Sequence, residues 1–378
     1  MTEVQGVTAE GYEPVQAAFK SLLARRSDWS GAFAAYVGGD CVLDLWGGPR
    51  YRPDSLQAVY SCTKGATAIV ILRLVERGLL DPEAPVSDYW PEFAAHGKGR
   101  VSVADALAHR VGMVGVPVTL QELIAHEPAA DKLAAAAPDW EPGSAHGYHA
   151  ITIGVIADEL VRRVSGVSLG ELYEVEVRRP LGLELFLGLP DELEHRVVPG
   201  HADPEREAVG PVAHPLWRPD LLDKSRCLLP PLEELPDLRE FRRSALPAVS
   251  GIGSARGLAR LYAASVGEVD GVRLLDADTV SFATRPRSDG WDLVLPAAST
   301  FGFIVQLARI GKTVPLAGPG SFGHDGFAGS VGLGSPVLRL GVGFVSDHRP
   351  PPAGPDQAAC ELVDAVVAAA ADTVGAAA

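Results

Sequence analysis

Residues 59–75 of this chain read Val-Tyr-Ser-Cys-Thr-Lys-Gly-Ala-Thr-Ala-Ile-Val-Ile-Leu-Arg-Leu-Val. The part from Ala66 to Val75 is apolar nearly all round, which predicts a buried helix that starts near Ser61 and ends at Gly78. Ser61 and Lys64 then lie one turn apart on one face, where hydroxyl and ammonium reach each other. Burial should lower the pKa of Lys64 from about 10.4, so that it acts as a base, or assists one, for the Ser61 hydroxyl. A chance spacing is the alternative, and the apolar helix that follows argues against it.

Outward from this helix, the sequence predicts strands on both sides of a long helical stretch. A helix over Tyr12–Arg26 precedes a hairpin of Gly31–Val37 and Cys41–Trp46, which turns at Gly38-Gly39-Asp40. The helices predicted within residues 81–246 are Ser102–His109, Leu120–His126, Ala129–Ala136, His149–Ser165 and Ser168–Arg179. The elements predicted after residue 251 are helix Ala255–Ser265, strands Phe301–Ala308, Gly329–Leu333 and Pro336–Ser346, and helix Asp356–Val374.

This order of elements predicts an α/β (α+β) fold in which a helical lobe interrupts one sheet body. We expect residues 1–65 and 250–378 to form the sheet domain and residues 66–249 to form a mainly helical domain. Residues 203–247 are too rich in proline for regular helix and too apolar for a free linker. We expect this segment to wall a pocket.

Composition and charge exclude several classes of protein. Hydrophobic residues make up 47% and charged residues 21%, the balance of a globular rather than a disordered or fibrous chain. The formal net charge of −15 argues against nucleic acid and anionic lipid as partners. No apolar run reaches the roughly 18 residues that span a bilayer, and the first residues carry acid where a secretory signal carries base. We therefore expect a cytoplasmic protein, with four free cysteines that form neither a disulfide framework nor a zinc site.

Tyr148 is a second candidate for chemistry, because turn residues from Trp140 onward present it just before a predicted helix. A phenolate held by a nearby ammonium could serve a serine as general base, since an opposite charge lowers the pKa of tyrosine. A packed aromatic ring with a satisfied hydroxyl is the alternative.

The third candidate is the glycine-dense segment from Gly323 to Ser330, which leads into a predicted strand. Missing Cβ atoms let a substrate approach backbone N–H groups, so the segment could form the edge of an oxyanion hole. A β-bulge or hairpin without a ligand is the alternative.

Several further motifs have simpler interpretations. Gly166-Val-Ser168-Leu-Gly170 matches the nucleophile string of α/β-hydrolases, but it joins two predicted helices, so we expect Ser168 to cap a helix with Glu171. His146 and His149 lack a third ligand for a metal, and we expect them in solvent or in supporting positions. His109 ends a predicted helix, where a cation complements the helix dipole.

The three candidate segments, in this order and spacing, resemble the active-site elements of the serine β-lactamase and penicillin-binding superfamily. The likeness extends to Val101–Arg110, Ser250–Ser254 and Gly341–Asp347, so it covers most of the chain. The pattern is most similar to the family VIII carboxylesterases, which share the class C β-lactamase fold. The resemblance implies an antiparallel sheet flanked by N- and C-terminal helices, with an inserted helical lobe and the active site between them.

The resemblance also implies roles for single residues. Ser61 would be the acylated nucleophile, Lys64 its electrostatic activator and proton partner, and Tyr148 the base that relays protons. The backbone N–H groups of Ser61 and Phe327 would form the oxyanion hole.

Two departures separate this chain from the β-lactamases, and both concern substrate binding. Their Tyr-x-Asn reads Tyr148-His149-Ala150 here, which removes the amide that holds an acylamido side chain. Their Lys-Thr-Gly reads His324-Asp325-Gly326, which replaces a permanent cation with a group largely neutral at pH 7. We assign Ala150 and residues 324–326 to substrate binding and expect weakened recognition of a carboxylate.

The resemblance with these departures predicts a serine carboxylesterase that cleaves small or medium acyl esters through an acyl-Ser61 intermediate, with no metal or organic cofactor. Acyl transfer to an alcohol or amine, also from a thioester donor, uses the same intermediate and stays open. A β-lactamase or D-amino-acid peptidase activity stays open too, as does a non-catalytic binding or scaffold protein that retains the fold.

Overall fold

A six-stranded antiparallel sheet lies at the centre of the part of the chain that the structure describes. The structure is a computed structural model, and it describes residues 3–202, 214–307, 309–310, 314–315, 320–349 and 357–377. The order across the central sheet is β1-β3-β2-β14-β13-β12. In chain order the strands are β1 (Gln5–Thr8), β2 (Gly31–Val37), β3 (Asp40–Gly47), β4 (Gln57–Ala58), β5 (Leu185–Phe186), β6 (His201–Ala202), β7 (Ile252–Gly253), β8 (Ser288–Trp291), β9 (Ala298–Phe301), β10 (Arg309–Ile310), β11 (Val314–Pro315), β12 (Phe322–Asp325), β13 (Val331–Ser335), β14 (Leu340–Ser346) and β15 (His348–Arg349).

The N-terminal hairpin joins the C-terminal strands in this sheet. Gly38 and Gly39 turn it with φ of 64° and 100°, values that favour glycine, so the predicted hairpin is confirmed. β14 pairs with the whole of β2. Residues before and after the helical stretch thus form one sheet.

Helices cover both faces of the sheet. On one face α1 and α14 share an apolar core with the strands, which includes Phe19, Phe344 and Leu362. On the other face α12 lies so close that a Cβ on Gly341 or Gly343 would come 2.3 Å or 2.0 Å from a helix carbonyl oxygen. In chain order the helices are α1 (Glu13–Arg25), α2 (Thr63–Glu76), α3 (Val86–Tyr89), α4 (Val103–Leu107), α5 (Leu120–Ala125), α6 (Glu127–Ala135), α7 (Thr152–Ser165), α8 (Leu169–Tyr173), α9 (Arg179–Leu181), α10 (Pro219–Lys224), α11 (Arg239–Arg243), α12 (Ala255–Val266), α13 (Ala277–Ala283) and α14 (Gln357–Ala377).

Helix α2 packs against α7 and α8 of the helical stretch, and it is buried along most of its length as its apolar sequence predicts. A capping box formed by Ser168 and Glu171 starts α8, so the expected cap is confirmed. Among the described residues, no helix combines the length and the apolar character needed to cross a membrane. The antiparallel sheet, its terminal helices and the intervening helical stretch confirm the predicted fold class.

The predicted strand Phe301–Ala308 is wrong beyond its first residue, and Ala308 lies outside the described residues. The strand β9 ends at Phe301, and the N–H of Gly302 donates to the carbonyl of Val305 (3.0 Å) in a tight turn. Ile304 has φ of 70° in this turn. The run is apolar because the turn is buried, not because it is a strand.

Two further predictions need correction. The predicted strand Pro336–Ser346 begins only at Leu340, because residues 336–339 form a turn. The segment 203–247, of which residues 203–213 lie outside the described part, contains the short helices α10 and α11. Pro219 occupies the first turn of α10, where its missing N–H costs nothing. Among the strands of four or more residues, β1, β8 and β12 were not predicted, and β9 was predicted only at Phe301.

Candidate active site

Ser61 lies in a 3₁₀ turn, Tyr60–Cys62, that leads directly into α2. Tyr60 has φ of 45°, in the left-handed region that favours glycine. The turn is held by Thr63, whose hydroxyl donates to the Tyr60 carbonyl and accepts from the N–H of Gly251 (2.9 Å). These bonds hold a strained backbone in place and fix Ser61 at the start of the helix.

Lys64 lies one turn along α2 with its ammonium group against Ser61. Its Nζ is 3.0 Å from Ser61 Oγ, 2.8 Å from the Ala150 carbonyl oxygen and 2.9 Å from the Ala248 carbonyl oxygen. The side chain is fully buried, and burial lowers its pKa to about 7, although the charge of Asp325 acts in the opposite direction. A neutral Lys64 is therefore well populated near neutral pH.

The two carbonyl groups determine where the lone pair of a neutral Lys64 points. A neutral amine has two N–H groups, and the carbonyls of Ala150 and Ala248 accept both. The lone pair is then left for the third neighbour, Ser61, whose hydroxyl donates to it. This arrangement can remove the Ser61 proton during nucleophilic attack.

Tyr148 precedes α7, and its hydroxyl donates to Ser61 Oγ (2.9 Å). Its ring stacks on Phe301, with centroids 6.0 Å apart, and the Nζ of Lys64 is 5.0 Å from its centroid. Burial raises the pKa of Tyr148 well above its ordinary value. The expectation of a phenolate is therefore wrong, because desolvation outweighs the hydrogen bond with Ser61, which lowers the pKa.

His324 lies on β12, buried beside Tyr148. Its Nδ1–H donates to the Asp325 carbonyl (2.7 Å), which leaves Nε2 as an acceptor 3.5 Å from the Tyr148 hydroxyl. Burial, together with the charge of Lys64, lowers the pKa of His324 to about 3. The ring is neutral and 1% exposed, so it does not present a cation to a substrate carboxylate.

The rest of the 324–327 segment closes against the nucleophile turn. A Cβ on Gly326 would lie 2.3 Å from the carbonyl oxygen of Val59, so only glycine fits. Phe327 packs against Tyr60, with ring centroids 5.5 Å apart. Asp325 accepts a hydrogen bond from the Gln306 side chain (2.9 Å), and burial raises the pKa of its carboxyl to about 6.

The structure thus brings Ser61, Lys64, Tyr148 and His324 together. It also gives Ala150 a contact that its side chain does not suggest, because the Ala150 backbone carbonyl binds Lys64. Ala248, on a different segment, does the same and was not predicted. Any residue supplies a carbonyl, so no sequence signal marks it.

The histidines near Tyr148 are buried and neutral. The Nδ1 of His109 accepts the N–H of His149 (3.0 Å), and burial, with the neighbouring His149, lowers the pKa of His109 well below its ordinary value. The expected cation at the end of α4 is therefore wrong. His149 donates from Nδ1 to the Gly147 carbonyl and accepts the N–H of Met113, so it supports the loop. Within the described ranges, no group of three His, Cys, Asp or Glu side chains is placed to hold a metal ion.

A serine hydroxyl within hydrogen-bond range of a buried amine and a phenol is an arrangement that can support covalent acyl transfer. The chain belongs to the β-lactamase family, because it matches the family described as Beta-lactamase over residues 15–365. This confirms the resemblance found in the sequence.

Proteins similar to this chain include two that are named as an esterase or a carboxylesterase. "Esterase/beta-lactamase LipL" of Mycobacterium tuberculosis (strain ATCC 25618 / H37Rv) is 33% identical over 375 residues, covering 92% of this chain and 83% of LipL. The structure of EstA from Arthrobacter nitroguajacolicus Rue61a is 37% identical with a TM-score of 0.88, covering 97% of this chain and 98% of EstA. A family VIII carboxylesterase structure is 32% identical with a TM-score of 0.88, covering 97% of this chain and 100% of that one.

Proposed function

We propose that this protein is a serine carboxylesterase that hydrolyses small or medium acyl esters through an acyl-Ser61 intermediate. The observation that carries the proposal is the hydrogen-bonded cluster in which Ser61 Oγ lies 3.0 Å from Lys64 Nζ and 2.9 Å from the Tyr148 hydroxyl. The relatives named as an esterase and a carboxylesterase support the same class.

In the acylation half of the reaction, neutral Lys64 takes the Ser61 proton as Oγ attacks the acyl carbon. The N–H groups of Ser61 and Phe327 would bind the oxyanion of the tetrahedral intermediate, and each such donor typically contributes about 10² to 10³ in rate. The bond to the leaving alkoxide then breaks, and the Tyr148 phenol donates a proton to that alkoxide. The Lys64 ammonium restores the phenol, so the products are a free alcohol and an ester on Ser61.

Deacylation repeats these proton transfers with water. A water molecule attacks the acyl carbon and gives its proton to Lys64. The acyl–Oγ bond breaks, the ammonium returns a proton to Ser61 by way of Tyr148, and the acid leaves. Lys64 is the base in both halves because burial lowers its pKa to about 7 while it raises that of Tyr148.

The substrate we propose is an uncharged acyl ester, or a thioester of the same acyl groups. Ala150 offers a methyl group where the β-lactamases carry an amide, and the His324 ring is neutral and buried. Neither would pair with an acylamido chain or a carboxylate. We assign Asp325 and Gly326 to the strand end that borders the substrate.

The test compares two serines. Ser61→Ala should abolish hydrolysis of p-nitrophenyl butyrate and covalent labelling by a fluorophosphonate. The matched control is Ser168→Ala, which removes the serine of the Gly-x-Ser-x-Gly string and should leave both intact. Retained activity in folded Ser61→Ala protein would refute the assignment.

Hydrolysis of β-lactams is a second candidate, because LipL carries both names. The missing amide at Ala150 and the neutral His324 predict slow turnover of nitrocefin. Nitrocefin hydrolysis at rates comparable to those for p-nitrophenyl butyrate would favour this candidate.

A further inference from the structure

Asp292 is a fully buried carboxylate in the turn between β8 and β9. Its Oδ1 accepts the backbone N–H groups of Tyr148 (3.0 Å), Val294 (2.8 Å) and Leu295 (2.9 Å). Its Oδ2 accepts the hydroxyl of Ser299 (2.9 Å). The carboxylate therefore joins the tyrosine loop to a turn that is distant in sequence.

The same turn holds the two residues before Tyr148. The N–H of Leu293 donates to the His146 carbonyl (3.1 Å), and His146 Nε2 lies 3.1 Å from the hydroxyl of Ser299. A Cβ on Gly147 would lie 2.9 Å from the side chain of Val294, so the loop and the turn are in close contact. Residues 146–148 are thus fixed on one surface.

The β8–β9 hairpin also supports the tyrosine ring, because Phe301 at the end of β9 stacks on it at an interplanar angle of 19°. Asp292 fixes the backbone of Tyr148 and Phe301 fixes the plane of the ring. The hydroxyl at the far end then meets Ser61 Oγ at 2.9 Å. A small rotation at the backbone would move that hydroxyl out of hydrogen-bond range.

We propose that Asp292 is a positioning residue that holds the backbone of Tyr148 so that its hydroxyl reaches Ser61. The role rests on the proposed esterase function, since it acts through the Tyr148 phenol. Displacing a reacting group by about 1 Å can lower a rate about 10²-fold. The Asp292 side chain itself does not touch the reacting atoms.

The experiment is a double-mutant cycle on the full chain with p-nitrophenyl butyrate. Asp292→Ala should lower kcat about 10²-fold and change KM less than about threefold. Asp292→Asn should restore most of kcat, because an amide oxygen still accepts the N–H of Tyr148. In a Tyr148→Phe background, Asp292→Ala should lower kcat less than about threefold further, because the hydroxyl that it positions is already absent.

Asp347→Ala is the matched control, since Asp347 is also a fully buried carboxylate and binds the Ser30 N–H and the Arg50 guanidinium. It should lower the melting temperature and leave kcat of the folded protein unchanged. Unchanged kcat in folded Asp292→Ala, or an equal loss in the Tyr148→Phe background, would overturn the proposal.

If Asp292→Ala does not fold, Ser299→Ala takes its place in the cycle. It removes one hydrogen bond to the carboxylate and should lower kcat several-fold, but only while the Tyr148 hydroxyl is present. Unchanged kcat would overturn the proposal here too. Activity in Ser61→Ala would instead defeat the proposed function, so the two failures are distinguishable.

Discussion

Esterase activity should fall as the pH is lowered, because Lys64 then gains a proton. Burial lowers the pKa of Lys64 from 10.5 to about 7, which corresponds to roughly 5 kcal/mol against the ammonium form. If neutral Lys64 is the base, kcat/KM follows its deprotonated fraction. That fraction is about one half at pH 7, about a tenth at pH 6 and about a hundredth at pH 5.

The Asp325→Asn variant tests whether the loss of activity at low pH is caused by protonation of Lys64. The negative charge of Asp325, which is present above its own pKa of about 6, raises the pKa of Lys64. Its removal should therefore lower the pKa of Lys64 and move the fall in kcat/KM to lower pH. The control is Asp131→Asn, on the exposed surface of α6, which should leave the pH profile of kcat/KM unchanged.

The assay follows p-nitrophenyl butyrate hydrolysis from pH 5 to 9 at the isosbestic wavelength of p-nitrophenol and its anion. The shape of the profile is compared, so a change in substrate affinity does not obscure it. A flat profile over this range would show that neutral Lys64 is not the base. So would an Asp325→Asn profile in which activity falls at higher pH than in the wild type.

Two further predictions concern stability. Gly65→Ala should destabilise the protein by about 1–3 kcal/mol, because its Cβ would lie 2.2 Å from the hydroxyl of the fully buried Tyr262; an unchanged or higher melting temperature would contradict this. For His126, burial disfavours the charge, but hydrogen bonds with Asp158 and Glu159 outweigh it and raise the pKa to about 9. Charged His126 therefore stabilises the fold below about pH 6.5, and this contribution, roughly 3 kcal/mol, is lost as pH rises to about 9. Urea unfolding of wild type and His126→Gln should show a stability difference that shrinks by about that amount from pH 6 to 9.5, and a constant difference would contradict it.

The predictable parts of the fold are those with a strong local signal. Helix α2 and the β2–β3 hairpin follow from an apolar run and from a Gly-Gly turn. β12 has no such signal, because its four residues, Phe322–Asp325, include a glycine, a histidine and an aspartate and form a strand by pairing with β13. The predicted strand at Phe301–Ala308 fails for the opposite reason, since a buried turn can be as apolar as a strand.

The sequence identifies the cluster's side chains but not the groups that set their protonation. Ser61, Lys64 and Tyr148 are named by motif, and the structure brings them within hydrogen-bond range. The expectation of a phenolate at Tyr148 is wrong because burial raises the pKa of the phenol. That burial is set by tertiary packing, which the local sequence pattern does not show. The carbonyl of Ala248 and the carboxylate of Asp292 come from segments with no family motif or catalytic spacing.

The most direct test of this account is to identify the residue that a covalent inhibitor of the acyl-transfer reaction modifies. Protein treated with a p-nitrophenyl phosphate triester, digested and examined by mass spectrometry should carry one phosphoryl adduct, on Ser61. The adduct should be absent from Ser61→Ala, and its formation should slow in Lys64→Met. An adduct on a different serine, or one that persists in Ser61→Ala with unchanged esterase activity, would contradict the account.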